Sequence, residues 1–338
     1  MTISGNIVLT GDTVAVSDDN ISANSLNVTM STCRKNQFDF GTFNSSVLKI
    51  GIIDDTATLH DYSSGTISLT LTDDEENDIE IGTYYIDGTQ TKRNGKVVTI
   101  VAYDAAALFD IPIPDNVRGT SYTASTLISA ACTACSVTLD GTLPANSPNT
   151  AVTFTLGSKS IQTWRDAVMW ACQLICANAI INRDGELEIR KAWYIYDANP
   201  DFTCTASERA DVQFSDTRVY IKYMTAYAPK KVKTYTSSVT APSQSVEGQF
   251  SLSKNPLLDD KTESDCDTIN AAILAQPILQ RQITAKMFSN PTISLGDLGV
   301  FSGGKIDIRR SIRGVVTGIV WRYHGYTTVS CTAPEVVT

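Results

Sequence analysis

Residues 160–189 read SIQTWRDAVMWACQLICANAIINRDGELEI, and the spacing of the apolar residues changes within them. The first half has apolar residues at steps of three and four, which predicts a helix that begins near Ser160. These residues are Ile161, Trp164, Val168, Ala171 and Ile175. The second half alternates instead, with residues 179–181 and 187–189 on either side of an Asp-Gly turn. We therefore predict a central helix packed against a β-hairpin.

Short β-branched segments separated by turn residues precede this unit, from Ile7 to about Asp110. Such spacing predicts a barrel or a sandwich. Asn94-Gly95 predicts a hairpin turn between segments 84–86 and 97–100, because both residues tolerate positive φ. The predicted strands are 7–9, 14–16, 26–30, 47–53, 66–71, 82–87 and 97–102. Two prolines within residues 111–114 end the first domain.

Two further helices and a second β-rich block are predicted in the rest of the chain. One helix covers residues 122–135, after a Ser/Thr cluster that can cap it, and another covers 267–276, before Pro277. The loops are predicted at 141–149 and 237–245, and the strands at 218–224, 232–235, 283–287, 306–308, 314–323 and 326–331. Gly325 is predicted to turn the final pair of strands.

The predicted fold class is therefore α+β and β-dominated, with two small β-barrel domains flanking a helix-containing α/β middle. The domains are an N-terminal β-barrel over residues 1–114, an α/β middle domain over 115–205, and a C-terminal β-barrel with linking segments over 206–338. These domains can be discontinuous in sequence.

Composition excludes several classes of protein. The chain has 338 residues, 42% hydrophobic and 19% charged, as expected for a folded protein of two to four domains. Its 27 basic and 36 acidic residues give a net charge of −9, so sustained binding to nucleic acid is not expected. The same acidity suits a surface past which DNA slides, because like charges repel.

The sequence also predicts a cytosolic site of folding. Residues 1–10 lack the basic and apolar pattern of a secretory signal, and no run of about 18 apolar residues predicts a membrane span. The eight cysteines are therefore expected to be thiols in a reducing environment.

Few residues suggest chemistry. His60 and His324 are the two histidines, and neither lies in a catalytic signature; His324 precedes Gly325, which favours an exposed turn residue. The pairs Cys132/Cys135 and Cys172/Cys176 have zinc-like or redox-like spacing. Both pairs fall on predicted helices among apolar residues, so we interpret them as buried thiols, with metal or redox use as the alternative.

Three other motifs have structural interpretations. The acidic run 73–80 lacks the sixth-position glycine of a calcium loop and is interpreted as a solvated hairpin tip. Residues 303–305, Gly-Gly-Lys, lack the rest of a phosphate loop and predict a β-turn. The tryptophans could stack on sugars, but Trp164 and Trp170 lie on the central helix, where at least one should be core. We assign no catalytic, cofactor-binding or metal-binding residue and expect no enzyme activity.

Three sets of residues together resemble the hub family of phage tails and related contractile particles. The first is Gln37-Phe38-Asp39-Phe40-Gly41-Thr42-Phe43 with residues 46–50, 81–86 and 101–104. The second is Thr163-Trp164-Arg165-Asp166, which leads through the central helix to residues 182–187. The third is Asn255-Pro256-Leu257-Leu258 with 290–291, 295–297 and 312–323. Their order and separation cover nearly the whole chain.

The resemblance implies a homotrimer that closes the distal end of the tail tube and adapts its symmetry to the tip or spike. Two barrels per subunit would alternate around a pseudo-sixfold ring. The implied partners are the tail tube or distal tail protein, the tape-measure protein, and tip, spike or baseplate wedge proteins, with transient passage of DNA. The implied location is the distal tail of the virion, after synthesis in the host cytoplasm. The chain ends soon after its last predicted strand, so a C-terminal hydrolase is not expected.

Two alternatives remain at this stage. A β-rich receptor-binding or carbohydrate-binding tail protein would be favoured by an exposed aromatic cluster. A tail-associated peptidoglycan hydrolase would be favoured by a cleft with two close carboxylates or a Cys–His pair.

Overall fold

The computed structural model of the chain describes most of its residues. They are 1–32, 40–55, 59–157, 160–191, 199–214, 218–228, 231–237, 245–252, 255–276, 279–280, 282–302, 311–332 and 336–337.

The N-terminal part is a set of antiparallel strands, as its alternating pattern predicts. Its strands are β1 (Thr2–Leu9), β2 (Asp12–Ser17), β3 (Asn27–Ser31), β4 (Val47–Ile53), β5 (Thr66–Thr72), β6 (Asp78–Ile86), β7 (Lys92–Asn94) and β8 (Val97–Tyr103). In β5 the side chains of Ile67, Leu69 and Leu71 are buried and the intervening ones are not. The one-sided strand predicted there is confirmed.

The helical middle follows two short 3₁₀ turns, Ala105–Asp110 and Asp115–Val117. Its elements are β9 (Ser121–Tyr122), α1 (Ala124–Cys135), β10 (Leu139–Asp140), β11 (Phe154–Thr155), α2 (Trp164–Leu174), β12 (Ala177–Ile181) and β13 (Leu187–Lys191). Helix α2 and the β12–β13 hairpin confirm the predicted central unit. Helix α2 begins four residues after Ser160 because the side chains of Thr163 and Asp166 cap it reciprocally.

The last part of the chain contains a third helix among strands. Its elements are β14 (Phe202–Cys204), β15 (Arg209–Phe214), β16 (Arg218–Ala228), β17 (Lys231–Thr236), β18 (Ser245–Ser251), α3 (Glu263–Leu274), β19 (Leu279–Gln280), β20 (Gln282–Phe288), β21 (Leu298–Ser302), β22 (Ser311–Arg322), β23 (Tyr326–Thr332) and β24 (Val336–Val337). A 3₁₀ turn, Pro256–Leu258, precedes α3.

One sheet joins the N-terminal and C-terminal strands. Its order is β15-β20-β23-β22-β3-β4-β8-β6-β5-β1-β2, and the connection between the two blocks is the antiparallel pair β22–β3. Among the described residues this path is open, with β15 and β2 at its ends, and we find no closed barrel. The β-dominated α+β class is confirmed, whereas closure depends on long-range pairing that local patterns do not encode.

The buried apolar residues form two clusters. One cluster contains both β blocks, including Ile50 and Ile319, so these blocks share a core. The other contains α1, α2 and α3 together with Met224 and Ala226 of β16. The sheet β17-β16-β18 therefore packs with the helices. The predicted boundaries after residues 114 and 205 remain predictions.

Two local predictions need correction. The Asn94-Gly95 turn joins β7 to β8, and β6 meets β8 only at its far end, through Tyr85 and Ile86. Helix α3 begins at Glu263, four residues before the predicted start, because Thr262 and Asp265 form a capping box that sequence analysis missed. The predicted strand 306–308, the turn 303–305 and most of the loop 237–245 lie outside the described residues.

Candidate functional site

The junction between the β blocks and the helical middle is built from all three motif sets. We define it as residues 40–46, Asp104–Asp110, α2, the β12–β13 hairpin and residues 290–297. The segment 40–46 runs beside β12, where Gly41 N donates to Ala177 O at 2.8 Å and Ala179 N donates to Thr42 O at 2.9 Å. The side chain of Asn178 accepts from the amide of Thr42 at 3.1 Å and from its hydroxyl at 2.9 Å. The first motif set is thereby held on the second.

Arg165 fixes α2 to the N-terminal block. Its guanidinium donates to both carboxylate oxygens of Asp110, at 2.6 and 2.8 Å, and to Ser45 Oγ at 2.9 Å. It also donates to the main-chain carbonyls of Phe43 and Ala106, at 3.0 and 2.7 Å. The planar guanidinium provides several donors in fixed directions, which a lysine cannot reproduce. Arg165 therefore acts as a positioning residue between two parts of the chain.

Asp104 is a buried carboxylate next to this contact. It accepts from Ser46 N at 2.8 Å and from Ala106 N at 3.1 Å, so it ties β4 to the start of the 3₁₀ turn. Burial raises the pKa of Asp104 from 3.8 to about 6, although the bonds from Ser46 and Ala106 and the charge of Arg165 act in the opposite direction.

The raised pKa of Asp104 predicts a pH-dependent stability. A carboxyl group that holds its proton more tightly when folded stabilises the protein below its unfolded pKa, and this contribution is lost as pH rises through the folded value of about 6. We expect the unfolding free energy of the wild type, relative to Asp104→Asn, to fall by about 2 kcal/mol between pH 4 and pH 7. Urea unfolding of both proteins across this range measures the difference. A pH-independent difference would contradict the assignment.

Two arginines connect the β12–β13 hairpin to the C-terminal block. Arg183 donates to the carbonyl of Pro291 and, at 3.2 Å, to that of Ile293. Arg190 donates to Glu188 at 2.7 Å and to Asp297 at 3.2 Å. The second motif set therefore meets the third.

Asn255 makes a further link between these sets. Its side-chain amide donates to Trp170 O at 2.9 Å and to Gln173 Oε1 at 3.2 Å, in the C-terminal half of α2. Its Oδ1 accepts from Leu257 N at 3.0 Å, so Asn255 caps the 3₁₀ turn Pro256–Leu258. Stretches that are far apart in the sequence thus converge on helix α2.

A shallow crevice, open to solvent, lies in this junction. Its charged lining includes Asp104, Arg183, Glu188 and Arg190. Each of these side chains already has a protein hydrogen-bond partner. Among the described residues that line the crevice, these hydrogen bonds hold chain segments in position.

The two histidines have structural surroundings. His60 lies between two carboxylates, with Nε2 at 3.2 Å from Asp12 and Nδ1 at 3.1 Å from Asp54. Asp54 also accepts from Arg93 at 2.7 Å. Both ring nitrogens of His60 are thus engaged. His324 is exposed in the β22–β23 turn with φ of 53°, as predicted for a turn residue.

The cysteines and the acidic run also have structural surroundings. Seven cysteines are free and buried, and burial raises the pKa of Cys132 to about 12 and that of Cys135 to about 11. These thiols stay protonated at neutral pH. This agrees with the prediction from sequence that they are buried apolar side chains. The acidic run forms the β5–β6 hairpin tip, where Asp73 accepts from Glu75 N at 2.8 Å and from Asn77 N at 2.9 Å. Cys33, Trp193 and residues 37–39 lie outside the described residues.

Tryptophans 164 and 321 are core residues, and Trp170 is half-buried. In the part of the chain that the structure describes, no cluster of three His, Cys, Asp or Glu side chains could hold a metal ion. No described helix has the length and apolar character needed to cross a membrane.

Comparison with solved structures defines the fold class. The 43 kDa tail protein of prophage MuSo2 from Shewanella oneidensis superposes with a TM-score of 0.59 at 11% identity, covering 99% of this chain and 99% of that chain. Prophage tail protein gp18 from Listeria monocytogenes gives 0.56 at 10% identity, covering 98% and 94%. The tail protein from Neisseria meningitidis gives 0.52 at 10% identity, covering 99% and 97%.

The chain therefore has the fold of prophage tail proteins over almost its full length. No protein-family model matches its sequence, and no curated protein does. At about one identical residue in ten, the likeness concerns the arrangement of the chain.

Proposed function

We propose that this chain is a structural subunit of a phage-type tail. Three copies of the chain form a ring at the distal end of the tail tube. The observation that carries the proposal is the end-to-end similarity of its fold to the MuSo2 tail protein. The junction supports it, because a ring subunit must hold its parts at fixed angles, and Arg165, Arg183 and Arg190 link those parts.

In this role the ring adapts the symmetry of the tube to the tip or spike. It contacts the tail tube or distal tail protein, the tape-measure protein and tip, spike or baseplate wedge proteins, and it permits genome passage. The chain acts without a catalytic site, and its place is the distal tail of the virion. The engaged nitrogens of His60 and the bonded side chains of the junction crevice favour a non-enzymatic role.

The molar mass in solution tests the ring. We expect light scattering during size-exclusion chromatography to give three times the chain mass of 36.6 kDa at micromolar concentration. A single-chain mass that persists at high concentration would contradict the proposal. Peptidoglycan incubated with the protein should release no soluble fragments.

A second candidate function is recognition of cell-wall carbohydrate. It is favoured by the rings of Phe288 and Tyr326, which are 56% and 39% exposed and stack with centroids 6.1 Å apart. Aromatic rings of this kind can bind sugar faces. If this function holds, purified cell-wall glycan should retain the wild type and release the Phe288→Ala/Tyr326→Ala variant.

A further inference from the structure

The sheet that joins the two β blocks has a continuous outward face. It spans strands β4, β3, β22, β23 and β20, in which Lys49 lies opposite Asn27, Asn27 opposite Arg322, and Tyr326 opposite Phe288. The alternate residues, such as Leu48, are buried. We call this surface the bridging face. Its residues are Val47, Lys49, Asn27, Thr29, Val320, Arg322, Tyr326, Thr328, Lys286 and Phe288.

The bridging face is basic in an acidic chain. Lys49, Arg322 and Lys286 are exposed on it, and none of its ten residues is a carboxylate. Beyond its edge, Asp211 of β15 lies opposite Lys286. Within the described residues, no ion pair involves any of the three. Five strands at about 4.8 Å spacing make the face about 19 Å wide. A positive surface of this size is notable when the whole chain has a net charge of −9.

The same face has the composition of a protein interface. The stacked rings of Phe288 and Tyr326 are exposed, and Lys286 Nζ lies 4.3 Å from the centroid of the Tyr326 ring. Aromatic residues and arginine are enriched where proteins bind each other, with charged groups around them. The exposed ring pair, flanked by cations, therefore favours protein binding at this face.

A complementary surface exists on the same chain. The β5–β6 hairpin tip, residues 73–78, holds five carboxylates, and the side chain of Asp74 is 87% exposed. Glu75 and Glu76 are also exposed. The ammonium of Met1 lies 2.5 Å from Asp74 at this tip. A narrow tip with this charge fits a basic face about 19 Å wide.

We propose that the bridging face of one subunit binds the acidic hairpin tip of a neighbouring copy of the same chain. This inference rests on the proposed ring assembly and names its contact. Because the two surfaces differ, the contact is heterologous, and heterologous contacts form a ring where the rotation between copies closes. Such a contact also sets the direction of assembly, since charge pairing rejects face-to-face and tip-to-tip encounters.

Charge reversal on each surface tests the contact. One variant carries Lys49→Glu, Lys286→Glu and Arg322→Glu, and a second carries Asp74→Lys, Glu75→Lys and Glu76→Lys. Sedimentation equilibrium in 50 mM salt should show self-association at least tenfold weaker for each. A third protein with both sets should regain association. Lys92→Glu, Lys96→Glu and Lys191→Glu form the matched control for the face variant, because these side chains lie outside the bridging face and their replacement changes the net charge by the same amount.

Each other outcome identifies a different failure. If the wild type is monomeric at all concentrations, the proposed ring fails, and this inference fails with it. If the wild type associates and the face variant associates equally well, only this inference is overturned. A lower melting temperature with unchanged mass would place the contact within one copy. Binding of a fluorescent DNA duplex by the wild type, lost in the face variant, would assign the face to a polyanion instead.

Discussion

The Arg165→Ala variant is expected to lose about 4 kcal/mol of unfolding free energy, which is a large share of the stability of a domain. The guanidinium satisfies the carbonyls of Phe43 and Ala106, and these acceptors lose their partner when the side chain is removed. The contact of the guanidinium with the Phe43 ring, 5.5 Å from its centroid, is lost as well. Urea unfolding followed by tryptophan fluorescence measures the change.

Two controls separate the role of Arg165 from a general effect of charge. Arg165→Lys keeps the charge but loses the fork of donors, so it should recover less than half of the loss. Lys96→Ala removes an exposed cation that pairs with Asp55 at 3.6 Å, and it should change stability by less than about 0.5 kcal/mol. If Arg165→Ala resembled Lys96→Ala, the junction would not depend on this arginine. Loss of the proposed trimer by a variant that remains folded would link the junction to assembly.

The central unit could be predicted from sequence because its signals are local. The steps of three and four between Ile161 and Ile175 give the apolar face of α2 without any knowledge of the rest of the chain. The switch to alternation and the turn at residues 182–185 give the hairpin. The capping pairs Thr163/Asp166 and Thr262/Asp265 are equally local. Counting the second of these would have located the start of α3.

The junction could not be derived from spacing, because its contacts join distant parts of the chain. Arg183 reaches the carbonyl of Pro291 across 108 residues, and Thr32 reaches that of Thr317 across 285. Nothing near Arg183 in sequence identifies its acceptor, which is a main-chain carbonyl of any residue type. The motif sets marked the right regions through the family resemblance. They did not give a role to Arg165, Arg183 or Asp104.

The open strand path has the same explanation. Alternation in β3 and β22 predicts two strands with one buried face each, and it is silent on which strands pair. The pairing of Ser31 with Gly318 and of Asn27 with Arg322 merges the two β blocks into one sheet. That merger creates the bridging face. A property that depends on registry between the ends of a chain emerges only from its three-dimensional structure.

The Gly41→Ala variant is expected to lose about 4 kcal/mol, because two costs coincide at this position. Gly41 has φ of +74°, a backbone conformation that residues with a side chain rarely adopt. A methyl group there would also lie 2.5 Å from Gln173 Cβ and 2.9 Å from Gln173 Cα, inside van der Waals contact. The segment 40–46 would have to move away from α2. Its hydrogen bonds to Ala177 and Ala179 would lengthen or break.

Gly185→Ala is the matched control for the backbone cost. Gly185 has φ of +81° in the turn between β12 and β13, and nothing lies within 4 Å of an added methyl group. This variant should therefore lose only about 1 kcal/mol, the cost of the backbone conformation alone. The difference between the two variants, measured by urea unfolding, reports how closely segment 40–46 packs on α2. Equal losses would mean that the segment can separate from the helix without consequence, and the N-terminal block would then be free to pivot at the junction.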